Sequence, residues 1–195
     1  MCWRRPLAIA TVLALSLLGF SETAAAQAGA GDERWLYGIS FGAGRRTTDG
    51  TFAPSTSPSG PPQLPSPRNV GALDIEGGIK LTSRIAVVGL WELRASLGQS
   101  SSGWGINTGH AGVRAWVAPR VWIGGGVGPA ELAYRSTPAS VTTRWWTTGV
   151  EASGGYDIFR GPTVTLNVLG RYTMFTIEGL RVNTFTIEMG LLGRR

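Results

Sequence analysis

The stretch Gly71-Ala72-Leu73-Asp74-Ile75-Glu76-Gly77-Gly78-Ile79-Lys80-Leu81-Thr82 changes character at every step. Its odd positions (Gly71, Leu73, Ile75, Gly77, Ile79, Leu81) are uncharged, while its even positions bring in Asp74, Glu76 and Lys80. An extended strand sends successive side chains to opposite faces, so this period of two separates an apolar face from a charged one. A helical repeat of about 3.6 would mix the two sets.

Seven more segments behave alike. With 70–82 they run approximately 34–47, 85–97, 104–117, 121–135, 145–159, 163–177 and 182–193, each bounded by Gly, Pro, Ser or Asn. In the first, Trp35, Tyr37, Ile39, Phe41 and Ala43 oppose Gly38, Ser40, Gly42 and Gly44. In the third, Ile85, Val87, Trp91, Leu93 and Leu97 oppose Glu92, Arg94 and Ser96. In the fourth, Gly109, Ala111, Val113, Ala115 and Val117 oppose Thr108, His110 and Arg114. The fifth sets Trp122, Leu132 and Tyr134 against Glu131 and Arg135. The sixth sets Trp146, Val150, Tyr156 and Ile158 against Glu151, Ser153 and Asp157. The seventh sets Val164, Leu166, Val168, Tyr172 and Met174 against Thr165, Asn167, Arg171 and Thr173. The eighth sets Phe185, Ile187, Met189 and Leu191 against Thr184, Thr186 and Glu188.

Alternation alone leaves open which face is inside, since a soluble sandwich or a lipocalin-like carrier also alternates. Three features predict grease outward. The apolar faces are uncharged through the middle of the segments, as contact with lipid demands. The other faces are small and polar with dilute charge: the acids Asp74, Glu76, Glu92, Glu131, Glu151, Asp157 and Glu188, the bases Lys80, Arg94, Arg114, Arg135 and Arg171, and His110. Both signs on one face predict a pairing network that fills a polar lumen, with a narrow pore as the alternative. Aromatics also sit near the ends of the apolar faces: Trp35, Tyr37, Trp122, Tyr134, Trp146, Tyr156, Tyr172 and Phe185 are expected to form girdles. At about 3.3 Å per residue and a tilt near 40°, Trp122 to Tyr134 and Trp146 to Tyr156 span roughly 25–30 Å, the height of an apolar membrane band. Because lipid offers no partner to backbone N–H and C=O groups, a spanning sheet must close. The expected fold is all-β: an eight-stranded antiparallel up-and-down transmembrane β-barrel over residues 29–195.

Residues 1–28 read as a cleaved signal peptide. Arg4 and Arg5 precede an apolar run of 14 residues, Leu7–Phe20, and small residues allow cleavage after Ala26 or Ala28. The run is short for a membrane helix, which needs about 20 residues. Removing it takes away Arg4, Arg5, Glu22 and Cys2 and leaves a net charge of +5 with no cysteine, so no disulfide supports the fold. The segment connections alternate in length: long at 48–69, short at 83–84, medium at 98–103, short at 118–120, medium at 136–144, short at 160–162 and medium at 178–181. That order suits a barrel with short periplasmic turns and longer extracellular loops. The 48–69 loop holds six of the eleven prolines and is expected to be extended, available as a surface contact.

On these features the chain resembles the small eight-stranded outer-membrane barrels, the group that includes the transmembrane domain of outer-membrane protein A and its shorter OmpX-like relatives. The resemblance implies a bacterial outer-membrane location, with outer-membrane lipid as the partner. The role expected of the chain is structural or surface-interacting: a lipid-facing cylinder, monomeric or weakly oligomeric, that presents four outer loops. The sequence departs from the group in ending Leu191-Leu192-Gly193-Arg194-Arg195, without the usual terminal aromatic.

No catalytic constellation, cofactor or metal site is expected. Some barrels of this size are lipid-modifying enzymes that use a His with a nearby Ser. Here the run is Gly109-His110-Ala111-Gly112, and His110 is the only histidine, which also denies a metal its second ligand. Gly124, Gly125, Gly126 and Gly128 lack the following helix that a phosphate-cradling loop needs. The 17 arginines and one lysine are scattered rather than clustered, which argues against nucleic acid.

Overall fold

The computed structural model describes residues 34–50, 68–96, 103–135 and 142–194, with the side chains of residues 135, 142 and 194 excepted. The expected signal peptide and most of the loops at 48–69, 98–103 and 136–144 lie outside the described residues. The strands are β1 (Trp35–Asp49), β2 (Arg68–Lys80), β3 (Ile85–Ser96), β4 (Gly103–Ala118), β5 (Val121–Arg135), β6 (Thr142–Arg160), β7 (Val164–Ile177) and β8 (Leu180–Arg194). Each pairs antiparallel with its neighbour in sequence, and β1 pairs with β8 from Leu36 opposite Arg194 to Asp49 opposite Arg181. The barrel is therefore closed, and no strand edge is left to be satisfied by solvent. The apolar residues Ile39, Phe41, Ile75, Trp91, Val127 and Ile187 lie exposed on the outer wall, whereas Asp74, Glu92, Arg94, Arg171 and Glu188 are buried inside.

The fifth strand reverses its expected faces. Trp122 is fully buried, and Tyr134 packs against the buried interior cluster around Trp104 rather than facing outward. Glu131 instead shares the outer parity of Val121, Ile123 and Val127, which are exposed. The cause is volume. Gly124, Gly126 and Gly128 fill the inward positions between Trp122 and Ala130 and leave the branched residues outward to build the wall. The Trp122 indole lies over Gly155 of β6, where an added Cβ would overlap the ring. Gly155→Val is thus expected to destabilise the barrel by about 1–3 kcal/mol, the usual cost of overpacking. Pairing it with Trp122→Phe should recover part of that loss, as read from urea unfolding of the two variants.

The 178–181 link, expected to be a medium loop, is a two-residue turn: Glu178 and Gly179 have φ of 48° and 82°, and Ile177 pairs directly with Leu180. Positive φ at both central residues matches the right-handed twist of a tight hairpin, so the chain reverses without a loop. In β6 the register shifts between Asp157 and Phe159, which leaves Ile158 and Phe159 both exposed outside. This bulge re-aims the following residue, bringing Arg160 to within 2.6 Å of Asp157.

The interior is layered. At the end bearing the loops, Trp104, Ile106, Ala130, Leu132, Phe175, Ile177, Leu180 and Val182 form a buried apolar cluster, with Tyr134 and Trp145 packed on it. At the end bearing the short turns, Leu36, Ala86, Trp116, Trp122, Leu169 and Leu192 form a second. The buried charges Asp74, Glu92, Arg94, Arg171 and Glu188 lie between the two.

Candidate functional site

The charged layer is assembled from β1, β2, β3, β4, β6, β7 and β8, and its centre is a pair of guanidiniums. Arg94 forms a two-pronged contact with Asp74, and its Nη2 lies 3.2 Å from Glu188 and 3.3 Å from Glu92. Arg171 reaches the same acids from the opposite wall: its Nε lies 3.1 Å from Asp74, and its Nη1 lies 3.5 Å from both Glu92 and Glu151. His110 Nδ1 lies 3.5 Å from Glu92. Period-two patterning placed these residues on one face, but only the closed ring brings β2, β3, β7 and β8 to a common centre.

Hydroxyls complete the coordination. Ser40 donates to Glu188 at 2.7 Å, Thr186 to Glu188 at 2.6 Å and Thr173 to Glu92 at 2.9 Å. These three were visible in sequence as small polar residues on the inner face, and what marks them as partners is the register. Buried charges are tolerated when paired and hydrogen-bonded, and this one is shared among several acids and bases rather than left to single pairs.

The remaining expected members separate. Arg114 grips Glu76 with both terminal nitrogens, at 2.8 and 2.6 Å, and stacks 3.9 Å over the Trp122 ring. Lys80 and Asp157 lie at the turn end, Lys80 beside Trp116 and Asp157 clamped to Arg160, so neither joins the central cluster. Glu131 corrects the expectation outright. Its position has outward parity near the loop end, yet the side chain is buried against its neighbours, with Asn107 donating to it at 3.0 Å and Arg144 3.3 Å away. The side chain of Arg135 lies outside those described. Of the expected girdle, Trp35, Tyr37, Trp146, Tyr156, Tyr172 and Phe185 are exposed on the wall, Trp122 and Tyr134 are inside, and Phe159 is an additional exposed aromatic at the turn end.

The space left around the network is small. Two cavities beside it, one touching His110, Glu151 and Arg171 and the other Ser40, Glu76 and Asn167, measure about 10 Å³ each. Each is roughly the size that holds one water. The His110 side chain is 1% exposed beside Glu92, which denies it access to a substrate at either mouth.

A closed eight-stranded antiparallel barrel with an apolar wall is the architecture of the small bacterial outer-membrane barrels, and the outer membrane is the location that such a wall fits. Among solved structures the chain resembles Neisserial surface protein A, with a TM-score of 0.57 and 10% identity over 82% of this chain and 97% of that one. It also resembles Ail, the attachment invasion locus protein of Yersinia pestis, in complex with the heparin analogue sucrose octasulfate, with a TM-score of 0.56 and 12% identity over 82% of this chain and 99% of that one. At such identities the likeness is one of fold. No protein-family profile and no curated protein matches the sequence.

Proposed function

We propose that the chain is an integral outer-membrane barrel, delivered by the signal peptide 1–28, that works as a solid cylinder and acts through surface contacts at its loop end. The observation that carries this reading is the outer wall. Between the two aromatic girdles its described side chains are uncharged, and the outward charges Arg45, Asp49, Glu131, Arg144, Glu178 and Arg181 sit toward the loop end. Lipid is then the partner around the wall, and the barrel stands as a monomer. The two apolar clusters bracketing the charged layer, with water-sized cavities between them, favour a filled interior over a narrow pore. The burial of His110 speaks against a lipid-modifying enzyme, and the greasy exterior against a soluble carrier. The loop end carries exposed charges of both signs, Arg45, Arg144 and Arg181 beside Asp49 and Glu178, which suits a polar surface ligand; Ail, a barrel of the same fold, was solved with the heparin analogue sucrose octasulfate.

Membrane fractionation joined to gel migration before and after boiling tests the reading. The expected result is a membrane-bound protein whose folded band shifts on boiling, together with no steady conductance in planar bilayers. Recovery of the protein in the soluble fraction without detergent would refute the membrane assignment, and discrete channel steps would refute the filled interior.

A further inference from the structure

The turn end of the barrel gathers basic side chains from separate stretches of chain. Arg34 precedes β1, Lys80 ends β2, Arg84 lies in the β2–β3 turn, Arg120 in the β4–β5 turn, and Arg160 ends β6. Backbone hydrogen bonds tie these stretches together: Lys80 N–H donates to Arg34 C=O at 2.7 Å, Trp116 N–H to Arg84 C=O at 2.8 Å, and Asp157 N–H to Arg120 C=O at 2.8 Å. Asp157 is the acid at this end among the described residues, and it is engaged by Arg160 at 2.6 Å. Asp32 and Glu33, next to Arg34 in sequence, lie outside the described residues.

Within this basic ring opens a cavity of about 450 Å³ lined by Lys80, Ser83, Arg84, Trp116, Pro119 and Arg160. Its size is that of small-molecule sites, far from the water-sized gaps beside the network. Trp116 belongs to the apolar cluster at this end and separates the cavity from the charged layer. Lys80 Nζ lies 5.9 Å from the centre of the Trp116 ring. A guest therefore meets three cationic side chains and a hydroxyl above an apolar floor, and the buried Asp157, which does not line the cavity, is held by Arg160. Such a field draws anions and repels cations, and guanidinium and ammonium donors bond phosphate oxygens more strongly than neutral acceptors.

We infer that this mouth is an anion-binding site that takes a phosphate group, either free or carried on the headgroup of an anionic phospholipid from the adjoining leaflet. The inference stands on the turn end of the barrel and is independent of what the loop end contacts.

Titration of the full chain in dodecyl maltoside micelles tests it, using inorganic phosphate in one arm and short-chain phosphatidylglycerol in the other, with short-chain phosphatidylcholine as the zwitterionic control. Saturable binding of at least one anionic probe is expected, weakened about tenfold by Lys80→Gln together with Arg84→Gln. Asp157→Asn, which frees Arg160 and removes the local negative charge, should tighten it. Binding of phosphate alone as strongly as the lipid assigns the site to free anions; binding of phosphatidylglycerol alone assigns it to a headgroup. Arg84→Gln alters an exposed turn residue, so it remains informative if the double variant fails to give the folded band. No saturable binding of either anion, binding equal to phosphatidylcholine, or binding unmoved by Arg84→Gln and Asp157→Asn overturns the inference.

Discussion

Arg171→Met is expected to destabilise the folded barrel by about 3–5 kcal/mol, the cost of breaking a buried ion pair from one side. Arg171 faces Asp74, Glu92 and Glu151 within 3.5 Å, so its loss leaves Arg94 as the one guanidinium among the central carboxylates. Methionine retains much of the volume, so the loss is electrostatic rather than a cavity. Urea unfolding in lipid vesicles, followed by gel migration, measures it. Adding Glu151→Gln should restore part of the stability, because one fewer carboxylate is stranded, and the two changes should couple rather than add. An unchanged midpoint for Arg171→Met would mean that the network contributes nothing to holding the walls together.

The second large effect belongs to the wall. Ile75 lies in mid-strand on the outer face, 48% exposed, paired with Ile39 and Trp91. Ile75→Arg is expected to cost about 2–4 kcal/mol in a bilayer, the penalty for a cation near the midplane. Leu81→Arg, beyond the end of β2, should cost only about 0–1 kcal/mol, because its side chain lies near the interface. Folding yields and urea midpoints in vesicles give the comparison. In a water-soluble barrel Ile75→Arg would be harmless, so equal stability of the two variants would sink the membrane reading.

How much of this was legible in the sequence depends on which physical quantity a residue reports. Parity is local, and β2 shows it: Asp74 and Glu76 inside, Leu73 and Ile75 outside, as the alternation of the chain requires. The fifth strand misleads because Trp122 looks like a girdle residue, while the fit of its ring over Gly155 is a fact about β6. Depth along the barrel is not carried by parity at all. Phe175 and Ile177 share a face with Arg171 and Thr173, yet they belong to an apolar cap. The meeting of Arg94 and Arg171 over Asp74 needs ring closure, which no single segment encodes. Glu178-Gly179 could be read as part of a loop, and only its positive φ values identify a two-residue reversal.

That reversal bears on the order in which the barrel comes together. A two-residue link imposes almost no closure entropy, so β7 and β8 can zip as a local hairpin on the microsecond scale of about 1–10 μs. The final seam, β1 against β8, joins opposite ends of the chain and must wait for every other strand. The β4–β5 link, Pro119-Arg120, is equally short, so local hairpins form first and the N-terminal strand is the latch. A slow last phase in refolding should respond to substitutions in β1 and be indifferent to those in the β7–β8 turn.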